Sequence, residues 1–229
     1  DEPHVTDAPT RTLEVRHLQL ARAFLAAMAA IMITFSADHS APVGLAVSSG
    51  FAIATALVFF VAAWLVFGAG ERTPAILLGI VTLVAGMITG LPPLRTTTLF
   101  FVVVIAWAAV SGLIELIAGL RARRAGDRFA RDAILIGAIT LGLAVALLLV
   151  NPAYSLEYFI KEAGASFTLT GITIGVGLFG GYAAIVAVFL GIAGFSPRRS
   201  ADLAPATTSS TTPTAQPGDA SPRPAGENA

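Results

Sequence analysis

The chain has 229 residues, 55% hydrophobic and only 12% charged, with acidic and basic side chains in equal number. A soluble domain carries about 25% charged residues, and at a mean hydropathy of +0.80 this chain would present more apolar surface than water tolerates, so lipid must supply its solvent. The net charge of +0 excludes whole-molecule attraction to nucleic acid, and the absence of cysteine excludes disulfides, iron–sulfur clusters and zinc–thiolate sites.

The first stretch, Asp1 to His17, is polar and of mixed charge, and is read as an N-terminus on the cytoplasmic side. Six apolar blocks follow, near Leu18–Ala37, Gly44–Gly68, Pro74–Leu91, Thr98–Leu120, Ala133–Val150 and Phe167–Phe195. Each approaches the ~20 apolar residues that carry a helix across a bilayer. The fourth, TLFFVVVIAWAAVSGLIELIAGL, is the clearest, and the short third and fifth suit tilted or re-entrant segments. Connectors cut the blocks: Ala37-Asp38-His39-Ser40 is polar, and Pro92-Pro93 and Asn151-Pro152 stop helices. Between Ala153 and Ser166, a loop with Glu157, Lys161 and Glu162 has room for a short amphipathic helix lying on the surface. From Ser196 to Ala229 the chain is rich in Pro, Ser, Thr and Ala without apolar period, and a disordered tail is expected. The fold class is therefore all-α: a polytopic bundle of six transmembrane helices, spanning residues 18–195, with hairpins near 18–68, 74–120 and 133–195.

Orientation follows from the cations. Of the 14 basic residues, Arg95 and Lys161 fall on one side of these spans and the rest on the other. Positive charge stays inside, so both termini are expected in the cytoplasm. A weakly signal-peptide-like end to the first span (Ser36 to Ala41) offers a rival in which cleavage leaves five spans. Internal repetition argues against it. The odd-numbered spans open with Arg22, Arg72 and Arg131 and end near Pro42, Pro92 and Pro152. The chain thus reads as three helical hairpins recurring about every 50–60 residues, a mark of stacked copies of one unit. The first copy lacks a glycine where Gly79 and Gly137 stand.

The middle hairpin, LLGIVTLVAGMITGLPP followed by FFVVVIAWAAVSGLIELIAGLRARR, resembles the short membrane repeat of the HdeD-like proteins. That pattern has an early glycine, a hairpin proline, then a tryptophan, a glycine and an acid before a basic end. Here these are Gly79, Pro92, Trp107, Gly112, Glu115 and Arg121. The resemblance covers Arg72–Arg124; the last hairpin lacks the tryptophan and the acid, and the first has only Trp64. It implies a bacterial six-span membrane protein of three hairpins, in a family whose named member is associated with acid resistance and most of whose members have no assigned activity.

Glu115 is the candidate for chemistry, an acid well inside an apolar span. An ionisable group at that depth is expensive and marks function by default. It stands six residues before Arg121, about 9 Å along a helix and so near the cytoplasmic interface. The plain reading makes it snorkel or pair with Arg72 or Arg22; the sharper one makes it handle protons. His39, beside Asp38 in the first outer loop, is a candidate pH sensor or simply a solvated histidine. Small residues four apart let helices approach closely, which marks Gly86 and Gly90, Gly171 and Gly175, and Gly177 and Gly181 as packing positions, with Gly112 beside them. Gly180-Gly181 also suits a helix break of the transporter kind. GITIGVGLFGG is not read as a dinucleotide fingerprint, since no β-strand unit is expected before it and it lies within a membrane span. Trp64 and Trp107 fall too far inside their spans for an aromatic belt, whereas Tyr154 and Tyr158 suit one.

No metal-ligand spacing and no nucleophile with a base occurs, so no catalytic, cofactor or metal site is expected and the chain is not read as an enzyme. The expected partners are the lipid bilayer, anionic lipids at the Arg121–Arg131 loop, and a second copy or another membrane protein. The expected role is a non-enzymatic protein of the bacterial cytoplasmic membrane acting in envelope or acid stress. The alternative is a small transporter or channel using Glu115, weakened by the scarcity of polar residues at mid-membrane.

Overall fold

The structure, a computed structural model, describes residues 15–68, 72–127, 130–161 and 164–195. The tail from Ser196, most of the polar N-terminus and Arg128 lie outside the described residues.

Six α-helices follow in order: α1 (Val15–Thr34), α2 (Ala41–Leu65), α3 (Arg72–Gly90), α4 (Thr97–Arg124), α5 (Ala130–Leu149) and α6 (Gly171–Phe195). All six are long and apolar enough to cross a membrane. The 19 residues of α3 span about 28 Å, and α5 has 20, so both are long enough for a hydrocarbon layer about 30 Å thick.

Local chemistry sets the ends. Pro42 sits in the first turn of α2, where a missing N–H costs nothing. The Thr96 hydroxyl caps α4 by accepting from the Leu99 N–H at 3.2 Å. Gly126, at φ +79°, turns the chain out of α4 in a left-handed conformation that a side chain would resist.

Each helix packs on its neighbours in chain order, and α6 closes against α1. The most extensive pairings are α2 with α3, α4 with α5 and α6 with α1. The closest packing therefore falls between the three hairpins read from sequence, not within them. The even helices meet in the middle, where α2 touches both α4 and α6.

The segment after α5 departs from expectation. It forms no amphipathic helix but an antiparallel hairpin of β1 (Ser155–Ile160) and β2 (Ala165–Thr170), pairing Tyr158 with Phe167 and Leu156 with Leu169. The alternation of apolar and polar residues in Ala165-Ser-Phe-Thr-Leu-Thr has the period of a strand. The hairpin also moves the start of the last helix from Phe167 to Gly171, where the Thr170 hydroxyl accepts from the Thr173 N–H at 3.3 Å.

Candidate functional site

The arginine positions are not equivalent. Arg72 and Arg131 are the first and second residues of α3 and α5, but Arg22 is the eighth of α1, and Arg16 is its second. At 1.5 Å per residue Arg22 lies about 10 Å into the helix. Glu115 lies nine residues before the end of α4, at a comparable depth from the same end of the bundle. The two meet: Arg22 Nη2 donates to Glu115 Oε1 at 2.6 Å, with the side chains only 16% and 7% exposed. The guanidinium also lies over the Phe59 ring, 4.6 Å from its centroid. Of the two cations the sequence offered to Glu115, Arg22 takes the place. Arg72 does not join it, because its Nε donates to the Phe67 carbonyl at 3.1 Å across the α2–α3 turn.

The surroundings of the pair follow the internal repeat. Phe51 of α2, Trp107 of α4 and Tyr182 of α6 form an aromatic layer with Phe179, edge to face where Trp107 meets Phe51 at 6.1 Å and Tyr182 at 6.0 Å. Two of its members are tied to the odd helices by buried bonds. Trp107 Nε1 donates to Thr82 Oγ1 at 3.2 Å, and the Tyr182 hydroxyl bonds Thr140 Oγ1 at 3.2 Å. Thr82 and Thr140 each stand three residues after Gly79 and Gly137, so the repeat is visible in the hydrogen bonds themselves. Eight residues beyond the aromatic layer, two turns nearer the arginine end, come Phe59, Glu115 and Leu190. One of three matching positions therefore carries the acid. Between the layers Thr55, Ser111 and Val186 line a small cavity shared with Arg22, Glu115, Thr82, Thr140 and Tyr182. A second cross-link at the same end joins α1 to α5, where Gln19 Nε2 donates to Asp132 Oδ2 at 2.8 Å.

The other expected residues disperse. His39 stands half-buried in the α1–α2 turn, and Asp38 beside it is engaged with Ser40 at the start of α2, accepting its N–H at 2.9 Å and its hydroxyl at 2.7 Å. Gly86 and Gly90 lie against Ile53 and Ser49 of α2, and Gly112 lies against Leu141 of α5. Gly171 faces the Asn151 carbonyl and Gly175 the Phe100 and Phe101 rings. Gly177 and Gly181 face open space, and α6 runs unbroken through Gly180-Gly181, so neither helix packing nor a helix break explains those two. Trp64 is 77% exposed one residue from the end of α2, the placement of a membrane-interface aromatic, while Trp107 is buried. Arg121, Arg123, Arg124 and Arg131 are exposed around the α4–α5 turn.

As packing positions Gly119 and Gly194 were not read from sequence, Gly79 and Gly137 were read only as marks of the repeat, and Gly180 only as a helix break. A Cβ at Gly137 would sit 2.6 Å from the Leu116 nitrogen, and one at Gly119 2.7 Å from that of Ile134. The signal missed was a spacing of seven, beside the spacing of four that Gly86 and Gly90 keep against α2. Gly79 and Gly86 oppose Phe60 and Ile53; Gly112 and Gly119 oppose Leu141 and Ile134. A seven-residue repeat keeps one face on a partner helix wound in the left-handed sense.

Among the described residues, no three His, Cys, Asp or Glu side chains come together to hold a metal. No family model, curated protein or solved structure matches the chain. The fold and the site together define a multi-pass helical membrane protein whose six spans enclose the Arg22–Glu115 pair beside a small cavity lined by apolar side chains and a few hydroxyls.

Proposed function

We propose that the chain is a non-enzymatic protein of the bacterial cytoplasmic membrane, of the HdeD-like kind, acting in envelope or acid stress. Its arginine-rich end and both termini face the cytoplasm, and the arginines around the α4–α5 turn contact anionic lipid head groups. The observation that carries this reading is the internal neutralisation of Glu115 by Arg22 beneath a closed aromatic layer. A carboxylate already matched by a guanidinium at 2.6 Å is a structural tie, and the aromatic layer of Phe51, Trp107, Phe179 and Tyr182 sets apolar rings across the centre where a transported ion would need polar groups. The test is proton and ion flux through the purified protein in liposomes from acid to neutral pH, with Glu115→Gln alongside. No flux above protein-free vesicles is expected. Flux abolished by Glu115→Gln would replace this reading with the transporter one, which the shared cavity beside the ion pair favours.

A further inference from the structure

Hydroxyls in the interior of this bundle usually satisfy themselves on nearby carbonyls. Ser48 donates to Leu45 O, Thr89 to Ala85 O and Thr140 to Ile136 O, the back-bonding habit of serine and threonine in helices. Ser49 donates across to Gly86 O. Thr55 and Ser111 break the habit. Both are 4% exposed, and both hydroxyl oxygens are buried without a partner. They lie on different helices, α2 and α4, yet line the same cavity. Leaving a buried hydroxyl unbonded is costly, so two of them facing one space call for a common occupant.

The size of that space limits what the occupant is. The cavity offers the centre of a water-sized sphere ≈ 20 Å³, and one water needs about 10–15 Å³ by that measure. Its walls also supply the two to four polar partners that hold a buried water. Ser111 and Glu115 are four residues apart on α4 and so share a face. A metal cation is disfavoured, because the Arg22 guanidinium already neutralises Glu115. We propose that this cavity is an internal hydration site, in which one water molecule bridges the Thr55 and Ser111 hydroxyls beside the Arg22–Glu115 pair. The water links α2 to α4 and gives the buried carboxylate a hydrogen-bonded neighbour inside the bundle.

This inference rests on the cavity and not on any stress role, and its test reads stability, not flux. Thr55→Val keeps the side chain's shape and removes the hydroxyl; Ser111→Ala removes one oxygen. Thermal unfolding of the full chain in detergent is measured for each variant and for the double variant. If one water serves both hydroxyls, each single change lowers Tm by about 2–4 °C, and the double change costs little more than one of them, because either releases the same water. Thr89→Val, whose hydroxyl bonds its own helix and lies off this cavity, shows no coupling to Ser111→Ala. Singles that leave Tm unchanged or raise it would mean the hydroxyls are simply orphaned and better replaced by carbon. Losses that add in full would mean two separate interactions. Either result overturns the site.

Discussion

Removing Arg22 should damage this protein more than removing Glu115, and removing both should damage it least. In Arg22→Met the carboxylate, 7% exposed, stays in the bundle with no guanidinium at 2.6 Å. Breaking a buried pair from one side costs about 3–5 kcal/mol because a lone charge is left behind. In Glu115→Gln the stranded group is the guanidinium. It is 16% exposed, and it keeps its place over Phe59 at 4.6 Å, an interaction of about 0.5–2 kcal/mol. The amide oxygen that takes the place of the carboxylate still accepts a hydrogen bond, so the expected loss falls to about 1–3 kcal/mol. The double variant Arg22→Met with Glu115→Leu strands nothing, and replacing both partners of a buried pair by well-packed apolar residues is often neutral or stabilising. The assay is thermal unfolding in detergent, read by tryptophan fluorescence, with monodispersity checked by size-exclusion chromatography. A double variant that loses the sum of the two single losses would refute the reasoning, since the pair would then hold the helices together by more than mutual neutralisation.

Gly137→Ala is expected to cost about 1–3 kcal/mol, because its new methyl meets the Leu116 backbone nitrogen at 2.6 Å; Gly142→Ala, in open space on the same helix, should be neutral or gain up to about 1 kcal/mol of helix propensity, and paired melting curves check both. Trp107→Phe should lower stability more than Tyr182→Phe, since Thr140 keeps its bond to the Ile136 carbonyl when Tyr182 is lost, whereas Trp107 Nε1 is the partner seen on Thr82 Oγ1; the second loss is about 1 kcal/mol by the same melting curves. The chain has no cysteine, so single-cysteine labelling has no background. Ser166→Cys in the β-hairpin should react with an impermeant maleimide on intact cells and Arg124→Cys only after lysis, and the reverse pattern would invert the proposed orientation.

The six spans were legible because hydropathy and proline placement both act over whole helices, and helix length is tied to bilayer thickness. The boundary errors have local causes. The stretch Ala165–Thr170 is apolar enough to pass as the start of a span, but its alternation is that of a strand, and it pairs with β1. The partner of Glu115 was narrowed to Arg22 or Arg72 and no further. Both are near the arginine-bearing ends of spans in sequence, and the choice depends on how far α1 extends before Arg22, which the polar start at Val15-Arg16-His17 conceals. The packing glycines were sought at a spacing of four, the mark of a right-handed crossing. The closest interfaces add a spacing of seven to the four of Gly86 and Gly90, and they join successive hairpins instead of closing each one.

That arrangement explains why a single acid suffices. Three hairpins that pack mainly on one another place matching positions of α2, α4 and α6 around a common centre, and most of those positions remain apolar or aromatic: Phe51, Trp107 and Tyr182 in one layer, Phe59 and Leu190 in the next. Had all three copies carried the acid of the middle one, three carboxylates would have converged with only Arg22 at hand, and their repulsion in a low-dielectric interior would have opened the bundle. The first copy instead supplies the cation from α1, two turns deeper than the arginines that open α3 and α5, and a phenylalanine on α2 for that cation to lie against. The charge brought in by one copy is thus answered by another, and the pair ties α1 to α4, two helices that are not neighbours in the ring. The departures from repeat symmetry at Arg22, Phe59 and Glu115 form one compensated set, and a substitution at any one of them is expected to change the effect of substitutions at the other two.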